Sequence, residues 1–328
     1  MTEQAYKHIF GPVLSRRLGR SLGVDIMPFK TCSYDCVYCE QGRTTNHTLH
    51  REEYVPVSSV LDELRRFLDT RPAPDYITLS GAGEPTLHAR LGDIVDGIKS
   101  LTPVPLAVIT NGSLLWQATV RNALTAAEVV LPSLDAGNEE LFRRIDRPVA
   151  DLSFEQMVTG MIEFRTAFPG EIWLEVLLLD GITSGEAEVR EIAAWARLIR
   201  PERIQLNTVV RPPSESFARP VPRETLEALA GLFEPHAEII ADYGGALAGF
   251  NALPDTSRVL EVLRRRPCSA KQLADTLGMR MTEVSKFLQG LAEQKMIDTD
   301  TLGDIVFYKA TSALYDNSTP GRQERMSL

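Results

Sequence analysis

At 328 residues, with 44% apolar and 24% charged residues, the chain is long enough for one large domain and a small one, with the composition of a soluble globular protein. A formal net charge of −9 argues against a sequence-indifferent binder of nucleic-acid phosphates and leaves only local basic patches open. No stretch approaches the roughly 18 uninterrupted apolar residues of a membrane span, and Met1–Lys7 lacks the pattern of a secretory signal, so a cytoplasmic location without a membrane partner is expected.

In chain order, six short apolar runs rich in β-branched residues come first: Ser21–Met27, Asp75–Ser80, Val104–Thr110, Glu128–Ser133, Ile172–Leu179 and Arg203–Val209. Runs apolar on both faces suit parallel strands covered on both sides. Helical patterns separate and follow them at Ser58–Leu68, Leu91–Leu101, Leu115–Leu124, Phe154–Phe168, Glu186–Ile199 and Arg223–Phe233. The repeat predicts an α/β fold, either a βα barrel or an open sheet, with function on the loops after the strand C-termini.

Prolines 212, 213, 220 and 222 punctuate the exit from the sixth run, and Gly244, Gly245 and Pro254 mark a domain boundary near residues 244–254. Helices are then expected at Thr256–Arg265, at Ser269–Leu277 with Ser269 as N-cap and Gly278 as stop, and at Thr282–Gln294. The last carries an apolar stripe of Val284, Phe287, Leu288 and Leu291. Ile297–Tyr308 reads as two strands around Gly303-Asp304. This order is the outline of a winged helix. The expected division is residues 1–250, a winged-helix domain over 251–312, and a polar, disordered tail over 313–328.

Three of the four cysteines fall within eight residues, Cys32-Ser-Tyr-Asp-Cys36-Val-Tyr-Cys39, on a loop after the first run. A disulfide scaffold would spread its cysteines, so the cluster reads as metal chemistry. Three thiolates wrapping one face of an iron–sulfur cubane leave one iron without a protein ligand, and an open coordination site signals catalysis. The alternatives are a zinc site completed by His47 or His50, or three unrelated thiols. The C-x3-C-x-aromatic-C spacing, with Tyr38 as the aromatic, resembles the signature of radical S-adenosylmethionine enzymes, and the six strand–helix units resemble their partial (β/α)6 barrel. The resemblance spans about residues 10–245. It implies a [4Fe–4S] cluster on Cys32, Cys36 and Cys39, S-adenosyl-L-methionine chelated at the open iron, and reductive cleavage to a 5′-deoxyadenosyl radical that takes hydrogen from substrate. It also implies an electron donor such as flavodoxin or ferredoxin.

Further loops fit that resemblance. Ser80-Gly81-Ala82-Gly83-Glu84-Pro85-Thr86 follows the second run. It is similar to the family's GGEP element, which holds the methionyl amino group; Ala82 replaces one glycine, while Gly83, Glu84 and Pro85 are intact. Thr110-Asn111-Gly112 supplies a polar turn after the third run. Ser133 and Asp135 end the fourth, where the family commonly reads the cofactor ribose; helix capping or turn hydrogen bonds are the alternative. Tyr38, Gly83, Glu84, Pro85, Asn111, Ser133 and Asp135 are therefore the candidate cofactor contacts. Glu175 and Asn207 are polar residues inside apolar runs, and buried charge is paired or functional. His88 is expected at the surface, and Cys268 is expected to be a small apolar filler.

The basic, glycine-spaced run Gly11-Pro-Val-Leu-Ser15-Arg16-Arg17-Leu-Gly19-Arg20-Ser21 and Gly42-Arg43-Thr44-Thr45 resemble a subgroup related to the wyosine-base tRNA synthetases, without the cysteines of their second cluster; a solvated basic loop is the alternative for the arginines. That resemblance and the appended module make RNA the expected substrate, with tRNA base modification as the reaction. From Asp255 to Ala310, nine Lys or Arg face eight Asp or Glu, which disfavours operator DNA. The rivals are radical modification of a peptide or protein, and a cluster-dependent redox or iron-sensing regulator.

Overall fold

The computed structural model describes residues 6–15, 17–241 and 256–311. The chain divides into two compact units, residues 1–247 and 248–328.

The first unit opens with an antiparallel hairpin, β1 (Ile9–Ser15) and β2 (Gly19–Val24). Sequence reading found β2 but not β1. Gly11-Pro12 interrupts the apolar pattern of β1, and the register slips between Phe10 and Val13 at that point. Proline withholds a ladder donor and is tolerated on a sheet edge or at a bulge, which is where it sits. Two residues of β3 (Thr31–Cys32) then pair in parallel with β4 (Asn46–His47). They close the cysteine loop at its base.

From here strands and helices alternate. After α1 (Val57–Thr70) come β5 (Tyr76–Leu79), α2 (Leu91–Leu101), β6 (Leu106–Thr110), α3 (Ala118–Ala123) and β7 (Val129–Pro132). A short α4 (Glu139–Ile145) precedes α5 (Phe154–Ala167) and β8 (Glu171–Leu178). Then follow α6 (Glu186–Ile199), β9 (Arg203–Thr208), α7 (Arg223–Ala230) and β10 (Glu238–Ile239). The sheet order is β1-β2-β5-β6-β7-β8-β9-β10, and every pairing after the first hairpin is parallel. All six predicted strands are present, flanked by the extra edge strands β1 and β10.

The reason is burial on both faces. Leu106, Ala107 and Val108 are buried consecutively on β6, and all four residues of β7 are buried. Each helix covers the sheet with one stripe, as α2 does with Leu91, Ile94, Val95 and Ile98. Each such side chain gains about 1.5–3 kcal/mol on leaving water. Two helices also depart from expectation. α3 starts at Ala118, because Ser113–Trp116 turns before the helix begins. α4 was not expected; Asn138 caps it by accepting from Leu141 N–H at 3.0 Å.

The second unit contains α8 (Thr256–Arg265), α9 (Ala270–Leu277), α10 (Met281–Glu293) and an antiparallel pair, β11 (Ile297–Leu302) with β12 (Ile305–Ala310). Ser269 Oγ accepts from Gln272 N–H, while the Gln272 side chain accepts from Ser269 N–H, closing a capping box. Gly278 ends α9 at φ 65°, where glycine carries no steric penalty. Val284, Leu288 and Leu291 are buried, with Phe287 partly so. Cys268 is fully buried and exchanges backbone hydrogen bonds with Tyr308. The expected boundary at 244–254 and the polar tail from Tyr315 lie outside the described residues.

Candidate cluster and cofactor site

The three clustered cysteines lie on the loop that leaves β3. Backbone pairing fixes this loop from two directions. Val37 N–H donates to Ile145 C=O at 2.8 Å, Asp35 N–H reaches the carbonyls of Asp146 and Arg147, and Val149 N–H donates to Ser33 C=O. From beyond β9, Glu215 N–H donates to Val37 C=O at 2.9 Å, and Ser214 Oγ donates to Cys39 C=O at 3.0 Å. Charges reinforce the clamp. Arg147 pairs with Glu215 at 2.7 Å, Arg43 bridges Asp35 and Glu215, and Arg211 pairs with Glu40 at 2.7 Å.

Cys32, Cys36 and Cys39 are half-buried free thiols. Donors are aimed at two of the sulfurs: Lys30 Nζ lies 3.0 Å from Cys39 Sγ, and Asn111 Nδ2 lies 3.5 Å from Cys32 Sγ. Cys36 Sγ lies 3.8 Å from Asp146 Oδ1. Burial, with the charge of Glu84 behind it, pushes the Cys32 thiol up to about 12. Burial and then Asp146 push Cys36 up as well. Iron binding takes thiolates and reverses this preference. Among the described residues, no three His, Cys, Asp or Glu side chains converge on one metal ion. His47 Nε2 instead contacts Ser33 C=O at 3.0 Å, and His50 lies near Glu52. A four-iron cubane asks for something else: one thiolate at each of three separate corners, with outer donors to sulfur. The thiols of this loop, with Lys30 and Asn111 beside them, fit that group.

The Gly83-Glu84-Pro85 loop is joined edgewise to the cysteine loop. Lys30 N–H donates to Ala82 C=O at 2.8 Å, and Glu84 N–H donates to Thr31 C=O at 3.1 Å. A Cβ on Gly83 would stand 2.2 Å from Thr31 C=O, so glycine here is required by the chain's own close approach. Pro85 begins a single 3₁₀ turn to Leu87. Glu84 is 3% exposed, and its Oε1 accepts from Thr86 N–H, Thr86 Oγ1 and Thr110 Oγ1, while Oε2 accepts from Asn111 N–H at 2.7 Å. Burial raises its pKa against those four hydrogen bonds. Glu84 therefore ties the end of β5 to the end of β6, a role that spacing did not suggest.

Tyr38 points into the chain. Its hydroxyl bonds to Asp135 Oδ2 and, at 2.7 Å, to Asp146 Oδ1. The other Asp135 oxygen accepts Leu177 N–H at 2.7 Å, so both of its oxygens are engaged by protein. Burial, then the neighbouring Asp146, raises the Asp135 pKa well above the carboxylate range. Ser133 is half-buried at the end of β7, and its hydroxyl has no hydrogen-bond partner among the described residues. Next to it on β8, Glu175 pairs with Arg17 at 2.6 Å and accepts from Asn207 Nδ2 at 2.9 Å. Burial would raise the Glu175 pKa, but Arg17 and Asn207 outweigh it and bring it down.

Three observations depart from the sequence reading. His88 is fully buried, with Nε2 2.8 Å from Val55 C=O and Nδ1 accepting Arg90 N–H. Two arginines of the basic run are consumed in ion pairs, Arg17 with Glu175 and Arg20 with Asp75, so they form no open basic patch; Arg16 lies outside the described residues. Lys30 and Asp146 were missed, because their neighbours in space are far from them in sequence or hidden by the cysteine signal.

The chain matches the family described as the Radical SAM superfamily over residues 26–196. It is 37% identical over 226 residues to a UPF0026 protein of Methanocaldococcus jannaschii, covering 68% of this chain and 70% of that one. It is 31% identical over 314 residues to a UPF0026 protein of Helicobacter pylori, covering 94% and 100%. A Brachyspira hyodysenteriae protein named GTPase Obg is 37% identical over 307 residues, 92% of this chain, but the chain spans only 45% of its length. Among solved structures, a radical SAM methyltransferase from Sphaerobacter thermophilus superposes with TM-score 0.51 at 15% identity, over 68% of this chain and 67% of that one. Streptococcus suis SuiB bound to precursor peptide SuiA superposes at 0.52 and 12%, over 68% and 49%. At such identities the structures speak for the fold alone.

Proposed function

The chain belongs to the radical SAM superfamily, as a relative of the UPF0026 proteins, and from that premise we propose that it is a cytoplasmic enzyme modifying RNA by radical chemistry at the Cys32–Cys39 loop. Membership makes it an enzyme, displaces the regulator reading, and implies a [4Fe–4S] cluster and S-adenosyl-L-methionine. When bound, these supply a one-electron reductive cleavage that yields a 5′-deoxyadenosyl radical. The observation that carries the reading is the joining of two loops: the cysteine loop and the Gly83-Glu84 loop are bonded edge to edge, with Asn111 donating toward Cys32 between them.

Within this reading the residues divide their work. Cys32, Cys36 and Cys39 hold the cluster and leave one iron to the cofactor. Glu84 sets the backbone around the methionyl group by holding Thr86, Thr110 and Asn111 in place. Ser133, with its uncommitted hydroxyl, is the ribose contact, while Asp135 and Asp146 anchor Tyr38. The sheet is read as a partial (β/α)6 barrel. At about 4.8 Å per strand, a flat sheet would hold Arg17, in the β1–β2 turn, roughly 19 Å from Glu175 on β8. They touch, and Leu18 packs with Ala107, Val129, Leu131 and Trp173. Curling the sheet satisfies both contacts. The second unit is read as a winged helix that grips substrate.

A peptide substrate is the second reading. It is favoured by the pairing of Arg17 and Arg20 and by the near-neutral second unit, which together leave little for a polyanion. Anaerobically reconstituted, dithionite-reduced protein is expected to form 5′-deoxyadenosine, and simultaneous replacement of Cys32, Cys36 and Cys39 by Ala to abolish both iron binding and product. Iron retained by that triple variant overturns the site. Mass shifts in bulk tRNA, set against shifts in cellular peptides, decide the substrate.

A further inference from the structure

Lys30 stands at φ 57°, a left-handed conformation that glycine adopts freely and lysine rarely does. Its backbone is pinned on three sides: its N–H donates to Ala82 C=O, and its carbonyl accepts from Thr45 and Asn46 N–H. The side chain leaves this fixed point and is only 4% exposed. Its ammonium has one partner among the described residues, Cys39 Sγ at 3.0 Å, and its charge also acts on Cys32. An ammonium buried this deeply requires an anion, and among the described residues no carboxylate is bonded to it. The anion that fits is a thiolate-ligated cluster, whose negative charge grows by one on reduction.

Resting on the reading of Cys32, Cys36 and Cys39 as cluster ligands, we propose that Lys30 is a positioning residue that raises the reduction potential of the cluster by donating to Cys39. A fixed positive charge at a ligand sulfur favours the more negative, reduced state, and hydrogen bonds to sulfur act in the same direction. This eases entry of the electron from a donor and makes its onward transfer to the cofactor less downhill. The position trades one step against the other.

The test is an EPR-monitored redox titration of anaerobically reconstituted protein without S-adenosylmethionine. Lys30→Met removes the ammonium and keeps side-chain bulk; Lys30→Gly also removes it, at a φ that glycine accepts without strain. Both are expected to make reduction at least tenfold less favourable, a 59 mV lower midpoint for a one-electron couple. Lys30→Arg is expected to stay within half of that shift. An unchanged midpoint in either neutral variant overturns the inference, including the case where cofactor affinity alone falls, because Lys30 would then serve the cofactor carboxylate. Loss of the cluster from both neutral variants also overturns it, by showing that the lysine holds the loop rather than setting its potential. If the wild-type protein forms no cluster, the underlying reading fails instead, and the two failures are distinguishable.

Discussion

His88 and Glu84 are buried polar side chains four residues apart, and each makes a separable prediction. Burial pulls the His88 pKa below its ordinary 6.5, against the raising effect of the Val55 carbonyl. Below pH 6.5 the unfolded chain therefore takes up a proton that the folded chain refuses. The sign follows: stability is intact above 6.5 and falls as the pH drops through the window beneath it. Urea unfolding at pH 7.5 and 5.5 should show that loss in the wild type and a smaller one in His88→Gln; equal losses would remove His88 from the account. Glu84→Ala leaves two hydroxyls, of Thr86 and Thr110, and two backbone N–H groups, of Thr86 and Asn111, without their acceptor, at about 1–3 kcal/mol for each buried donor left unsatisfied. The variant should lose at least about 2 kcal/mol of stability and also bind cofactor more weakly. Ser133→Ala should weaken cofactor binding by about 0.5–1.5 kcal/mol and leave the unfolding midpoint unchanged. Calorimetry beside denaturation separates positioning from contact. The cysteines and Gly83-Glu84-Pro85 stood out as candidates because local spacing alone groups them. The hydrogen bonds of Glu84 were not, since Thr110 and Asn111 reach it only through parallel pairing of β5 with β6. Asp146 was hidden for the same reason: nothing near it in sequence hints at Tyr38 or Cys36.

At the scale of elements, double-sided burial made six strands readable, and Ser269 and Gly278 marked both ends of α9 in advance. What escaped were elements whose stability is borrowed. β1 carries Gly11 and Pro12 and relies on β2 for its ladder, while β10 is two residues long and leans on β9. α4, only seven residues long, is too short to announce itself by periodicity and depends on packing against its neighbours. The β1–β2 turn is a case of this dependence. Leu18 is buried among residues of β6, β7 and β8, and Arg17 reaches Glu175 and, at 3.2 Å, Gln205. Arg17→Met would leave the Glu175 carboxylate with Asn207 as its remaining side-chain partner. Removing one member of a largely buried pair costs about 3–5 kcal/mol, with the lower end apt for side chains still 16–18% exposed. The expected result is a stability loss of about 3 kcal/mol together with faster amide exchange in β1 and β2. Exchange confined to β8 and β9 would show that the turn is held by Leu18 and the hairpin ladder alone.

For the whole molecule, the decisive fact is where the candidate groups lie. Cys32, Lys30, Glu84, Asn111, Ser133 and Arg17 all fall in the first unit, as do the elements that clamp the cysteine loop, and the unit boundary follows Leu247. A chain ending there keeps every hydrogen bond described around the cysteines. It should therefore retain its cluster and still form 5′-deoxyadenosine without substrate. If the second unit grips a macromolecule far from the reacting atom, its loss removes binding that is the same in ground and transition states. That raises KM and leaves kcat nearly unchanged. A fall in kcat at saturating substrate would mean that the second unit helps orient the reacting group. Loss of the cluster on truncation would mean that it supports the first unit's fold, and the RNA and peptide readings would both lose the appended module as their argument. Steady-state kinetics on the substrate found by mass analysis, with iron content measured on the same samples, distinguishes these outcomes.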